Sequence, residues 1–140
     1  MTKIIYDQQT IQQFSLFETI THAKCKDCFF DEVQNRLVFI VDGGHLWKAL
    51  GKKSENVKKL EDKFGKKIKI VEYSNNLLTF IKNMVQPLRI NKLEEEEGII
   101  TITEENMQTK GLLIGRNAKN LRNLETNIRR FFDIKEIKVV

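Results

Sequence analysis

The sequence predicts an α+β chain assembled twice: two small units in direct tandem, residues 1–73 and 74–140, each a three-stranded sheet covered by helices. Three observations carry that expectation. A glycine, a cation and an apolar helix stripe recur at an offset of 64 residues, which marks an internal duplication. Runs with the strand period and runs with the helix period follow one another in the same order in both halves. The positive charge is gathered into two windows that coincide with the repeat.

In the repeat, GKKSENVKKL (51–60) falls on GRNAKNLRNL (115–124). Gly51 meets Gly115, Lys52 meets Arg116 and Asn56 meets Asn120, with Leu50 meeting Ile114 ahead of the loop. Beyond it, Val57, Leu60 and Phe64 meet Leu121, Leu124 and Ile128 at i, i+3 and i+7, one face of a helix.

The remaining elements follow in order. Residues 8–21 read as a helix that turns Ile11, Phe14 and Phe17 toward a core. CKDCFFDEV and RLVFIVD read as strands joined by a turn at Gln34-Asn35. A short helix with His45 and Trp47 leads to the first glycine loop; Trp47 is expected partly in the core, a base-stacking role being the other reading. After the next helix, KKIKIVEY alternates as a strand. The second half opens with Ser74 as a helix cap and a stripe of Leu77, Leu78, Ile81, Met84, Val85 and Leu88, which Pro87 stops. RINKL leads into a solvated turn, EEEE with Gly98, then the strand GIITITEE, the second loop, a helix extended through IRRFFD and the strand IKEIKVV. Glu72-Tyr73-Ser74 leaves no flexible linker, so two units of about 70 residues, each near the lower limit for independent stability, are expected to pack together.

Composition excludes several classes. Net charge is +5, yet residues 48–69 carry +6 and residues 110–130 carry +5, leaving −6 for the rest. Such clustering points to a polyanion-binding surface, the plainer reading being solvated basic helix faces. Apolar runs stop well short of the roughly 20 residues of a membrane span. MTKIIYDQQT has no apolar signal core, so a cytoplasmic protein without membrane contact is expected. Cys25 and Cys28 form a C-x-x-C, but only His22 and His45 could join them in a metal site; partly buried, reduced strand cysteines are expected. DGGHLWKALGKKS lacks the glycine spacing and the Lys-Ser/Thr step of a phosphate-binding P-loop. With no nucleophile motif and no paired carboxylates in a recognisable context, neither an enzyme nor a cofactor is expected.

A glycine between two short helices lets the backbone approach a ligand closely, and the free N–H groups of a helix start favour an anion. Lys52 and Lys53 in one copy, and Arg116 with Lys119 in the other, add full positive charges suited to a nucleic-acid phosphate; a helix C-cap glycine with incidental cations is the plainer alternative. The loop and the element order resemble the KH family, whose Gly-x-x-Gly loop clamps about four nucleotides of single-stranded RNA, in its type II form. Two such units in tandem, with LGKKSENVKKLEDKFGKKIKIVEY in one and GLLIGRNAKNLRNLE in the other, are similar to the NusA family of transcription termination and antitermination factors. The likeness covers nearly the whole chain and is to the short archaeal form, with no counterpart of the bacterial polymerase-binding and S1 domains.

The resemblance implies that Gly51, Lys52, Lys53 and Ser54 form one RNA-binding loop and Gly115, Arg116, Asn117 and Ala118 the other. Asn56, Lys119, Asn120 and Arg122 would lie beside them on the helix starts. The last glycine of each loop is here Ser54 or Ala118, Ser54 being a suitable helix N-cap. Single-stranded RNA and RNA polymerase are the implied partners, with phosphates on the loop amides and bases over an apolar groove. The alternatives are a degenerate KH module that docks on polymerase, and a ribosome-associated RNA-binding protein.

Overall fold

The computed structural model describes residues 7–140, which divide into two compact units meeting between Ser74 and Asn75. Each is α+β, with one three-stranded sheet and three helices.

In the first unit, α1 (Gln8–Thr21) starts where the Asp7 carboxylate accepts the Thr10 N–H at 2.8 Å and ends at left-handed His22. Strands β1 (Cys25–Asp31) and β2 (Arg36–Val41) pair antiparallel, and β3 (Ile68–Glu72) adds parallel to β2, in the order β1-β2-β3. Asn35 takes the positive φ that the tight turn between β1 and β2 requires. Strand β2 is the spine, buried from Leu37 to Val41. Phe39 stacks on Phe17 of α1 at 4.3 Å and touches Phe64, around which Ala49, Leu60 and both cysteines close the core. Ile11 corrects the expectation for α1. It is 56% exposed, because the helix buries only Phe17 and Thr21, toward its C-terminal end, and its first turns run on into solvent.

The second unit repeats the order: α4 (Leu77–Val85), β4 (Lys92–Glu96), β5 (Ile99–Thr103) and β6 (Glu136–Val139), with sheet order β4-β5-β6, antiparallel then parallel. Between β5 and β6 come α5 (Met107–Ile114) and α6 (Lys119–Ile128), as α2 (Leu46–Leu50) and α3 (Glu55–Phe64) come between β2 and β3. Ile100, Ile102 and Ile137 from the sheet are buried with Leu113, Leu121, Leu124 and Ile128 from the helices.

Three expectations are corrected here. The cap of α4 is Asn76, whose side chain accepts the Thr79 N–H at 3.0 Å, rather than Ser74. EEEE is not a turn throughout: Glu94, Glu95 and Glu96 extend β4, paired with β5, and only Glu97, with positive φ, turns the chain. An edge strand tolerates exposed charge because its side chains stay in water while its backbone is paired. Finally, α6 stops at Ile128 with the same ten residues as α3. The following residues form a tight turn in which Phe131 N–H reaches Ile128 C=O, and Phe131 meets Phe80 edge-on at 5.4 Å. The Arg129 guanidinium staples that turn by donating to the Ile134 and Lys135 carbonyls. Among the described residues no helix is long and apolar enough to cross a membrane.

Candidate nucleic-acid interface

The two glycine loops adopt the same backbone. Gly51 and Gly115 both lie at φ 74°, ψ 176°, a region essentially reserved for glycine. Each is followed by one 3₁₀ turn, Lys52–Ser54 or Arg116–Ala118, whose last two residues are left-handed: Lys53 and Ser54 at φ 54° and 56°, Asn117 and Ala118 at 55° and 59°. The turns close alike, Ser54 N–H on Gly51 C=O at 3.1 Å and Ala118 N–H on Gly115 C=O at 3.2 Å. Ser54 is therefore no side-chain cap: its backbone is left-handed rather than extended, and no capping bond forms.

What holds each loop is the repeated asparagine. Asn56 is buried, and its Nδ2 donates to the Ala49 carbonyl at 3.1 Å and the Lys48 carbonyl at 3.4 Å. Asn120 Nδ2 donates to the Leu112 carbonyl at 2.9 Å. Each side chain thus joins the second helix of its pair to the open C-terminal carbonyls of the first. Each also lies against its own glycine: a Cβ on Gly51 would meet Asn56 Cγ at 2.9 Å, and one on Gly115 would meet Asn120 Cγ at 2.6 Å. The glycine and the asparagine five residues on are one device, which explains why both recur at the same offset.

Lys52, Lys53 and Ser54 are exposed at the tip of the first loop; Arg116, Asn117 and Lys119 are exposed at the second, with Ala118 half-buried. Among the described residues, no hydrogen bond takes up the backbone N–H of Lys52, Lys53, Arg116 or Asn117. Arg122 is exposed but tied: its Nη1 donates to the buried Glu125 carboxylate at 2.6 Å, and the same Glu125 oxygen accepts the Ile137 N–H of β6 at 2.7 Å. Asn56 and Asn120 face inward, whereas the other predicted residues line the loops or their rims.

Trp47 corrects an expectation. It is 81% exposed, and only Ala49 of α2 is buried, because a five-residue helix has room for little more than one inward position. With Lys48, Leu50, Gly51, Lys52, Lys53 and Ser54 it lines a cavity of about 450 Å³ beside the first loop. Sequence reasoning missed Lys48 and Leu50 as lining residues; their place within the last turn before Gly51 is the signal that marks them. His45 is structural, its Nδ1 accepting the Lys24 N–H at 3.0 Å. Cys25 and Cys28 are both buried in the core, where burial pushes the Cys25 thiol far up, away from the reactive thiolate.

No family model matches the chain. Over its whole length it is 31% identical to the probable transcription termination protein NusA of Methanocaldococcus jannaschii, covering 77% of that protein. It is 33% identical to the probable transcription termination protein NusA of Methanococcus vannielii, over 99% of this chain and 80% of that one. The crystal structure of APE1850 matches 96% of this chain and 100% of its own, with a TM-score of 0.75 at 27% identity. The chain belongs to the NusA family of transcription termination proteins; its members are transcription factors, not enzymes.

Proposed function

We propose that this chain is an RNA-binding transcription factor acting in termination or antitermination, and that its halves, residues 1–73 and 74–140, are tandem type II KH domains. One observation carries the reading. Two loops of unlike sequence hold one backbone geometry, and each presents two free N–H groups among exposed cations. Phosphates of a single strand sit on the amides of Lys52, Lys53, Arg116 and Asn117, with the Lys52, Lys53, Arg116 and Lys119 side chains neutralising them. Gly51 and Gly115 admit the sugar–phosphate backbone, Ser54 and Ala118 end each cradle, and Arg122, fixed by Glu125, flanks the second. Asn56 and Asn120 are positioning residues that keep the cradles open. RNA polymerase is the expected second partner.

Binding of a roughly 12-nucleotide RNA pool as a function of salt tests the reading, since the log–log slope falls by about 0.7 for each phosphate that the protein no longer neutralises. Lys52→Asp/Lys53→Asp and Arg116→Asp/Asn117→Asp should each weaken binding and flatten the slope while leaving the fold intact. If neither differs from a wild type that scarcely binds, the loops do not hold RNA and the polymerase-docking alternative takes its place.

A further inference from the structure

We infer that Trp47 stacks on a nucleobase, so that the first loop grips a base together with phosphate whereas the second grips phosphate alone. The inference rests on the RNA-binding reading above and assigns a residue it leaves unused. Trp47 is the single tryptophan of the chain, yet it is 81% exposed and contributes almost nothing to the core. An indole held in water has a large apolar area to lose on contact, and its backbone is fixed: the Trp47 carbonyl accepts the Gly51 N–H at 3.0 Å, which places the residue one helical turn before the phosphate cradle. There it forms one wall of the cavity of about 450 Å³, within the range of small-molecule sites.

The charge of that cavity selects the occupant. Three of its lining residues are lysines, Lys48, Lys52 and Lys53, and none is acidic, so the apolar wall and the cationic rim suit a flat ring attached to a phosphate. Every base has a π-face, so such a contact tolerates many sequences. The second loop lacks the device. At the offset that equates Gly51 with Gly115, the position of Trp47 is Gly111, which has no side chain. The duplication has kept the phosphate cradle in both halves and the ring in one.

The test uses the full chain and two end-labelled probes of roughly 12 nucleotides: an RNA, and an oligomer of the same length and charge whose sugars carry no bases. The expected result is that RNA quenches the fluorescence of Trp47 whereas the abasic oligomer, although bound, does not. Trp47→Ala should weaken RNA binding by about tenfold to a hundredfold with an unchanged salt slope, and Trp47→Phe should retain most of the affinity. Two outcomes overturn stacking and leave RNA binding in place: Trp47→Ala binds RNA as well as wild type, or it weakens RNA and abasic oligomer equally. A wild type with no salt-dependent binding of either probe overturns both readings.

Discussion

At the scale of single residues, the two loop glycines are under two constraints at once, backbone and space. Gly51→Ala and Gly115→Ala must place a Cβ in a glycine-only region and push aside the asparagine that latches the loop. Each should cost about 1–3 kcal/mol, read as a lower denaturant midpoint. Ala118→Gly moves the other way, because the left-handed backbone of Ala118 strains any Cβ. Its urea midpoint should equal or exceed that of wild type. Lys69 gives a pH dependence. Burial, with Arg36 nearby, depresses its pKa from the usual 10.5 to about 8. The unfolded chain then binds the extra proton between those values, so the contribution of Lys69 to stability should rise as pH increases from about 8 toward 10.5, against the opposite slope that the raised Cys25 thiol adds above its ordinary value of 9.0. Lys69→Met should remove that rise, seen by comparing the two midpoints at pH 7.5 and 10. Which glycines matter was legible in the sequence, because they recur with their asparagines. That the asparagines face inward was not, since an amide beside a loop reads equally well as a ligand contact.

At the scale of elements, a few polar side chains inside an apolar frame tie α3 to α2, α6 to α5 and α6 to β6. Asn56→Ala leaves the Ala49 carbonyl without its donor and should cost about 1–3 kcal/mol in thermal or chemical unfolding. Glu125→Ala removes the acceptor of both Arg122 and the Ile137 N–H, and should loosen β6 selectively. Hydrogen exchange at the Ile137 amide would quicken markedly while that of β2 amides stays slow. Strands β2, β3 and β5 were legible because their apolar periodicity is dense, and α3 and α6 because their stripes repeat. Where sequence and structure part, the cause is a tertiary setting that local sequence does not reveal. Strand β4 is a strand because Ile99–Thr103 offers it a backbone to pair with, although its own glutamates suggest a turn. The apolar residues after Ile128 reach the core through a turn closed by Arg129, so helix periodicity alone over-extends α6. Hydrophobicity alone places Trp47 inward, though α2 is too short to bury it.

At the scale of the whole molecule, the duplication would make binding bivalent if both loops hold RNA as proposed. An RNA long enough for both loops should bind more tightly than a tetranucleotide that fills one, because the second contact forms at high effective concentration. That advantage should disappear in either double-charge variant, measured as the ratio of the two affinities. Charge clustering and the offset of 64 made the tandem organisation visible in sequence, while the exposure of Trp47 beside the first loop emerged only with the side chains in place. The shared geometry of the loops also separates scaffold from message. Since Gly51 with Asn56, and Gly115 with Asn120, fix the backbone from below, the three residues between glycine and helix can differ in charge as long as the last two accept a left-handed backbone. They behave as a replaceable cassette: with Lys52–Ser54 and Arg116–Ala118 exchanged between the halves, the chimera should keep the fold of its host and take the loop charge of its donor, while Trp47 stays with the first half.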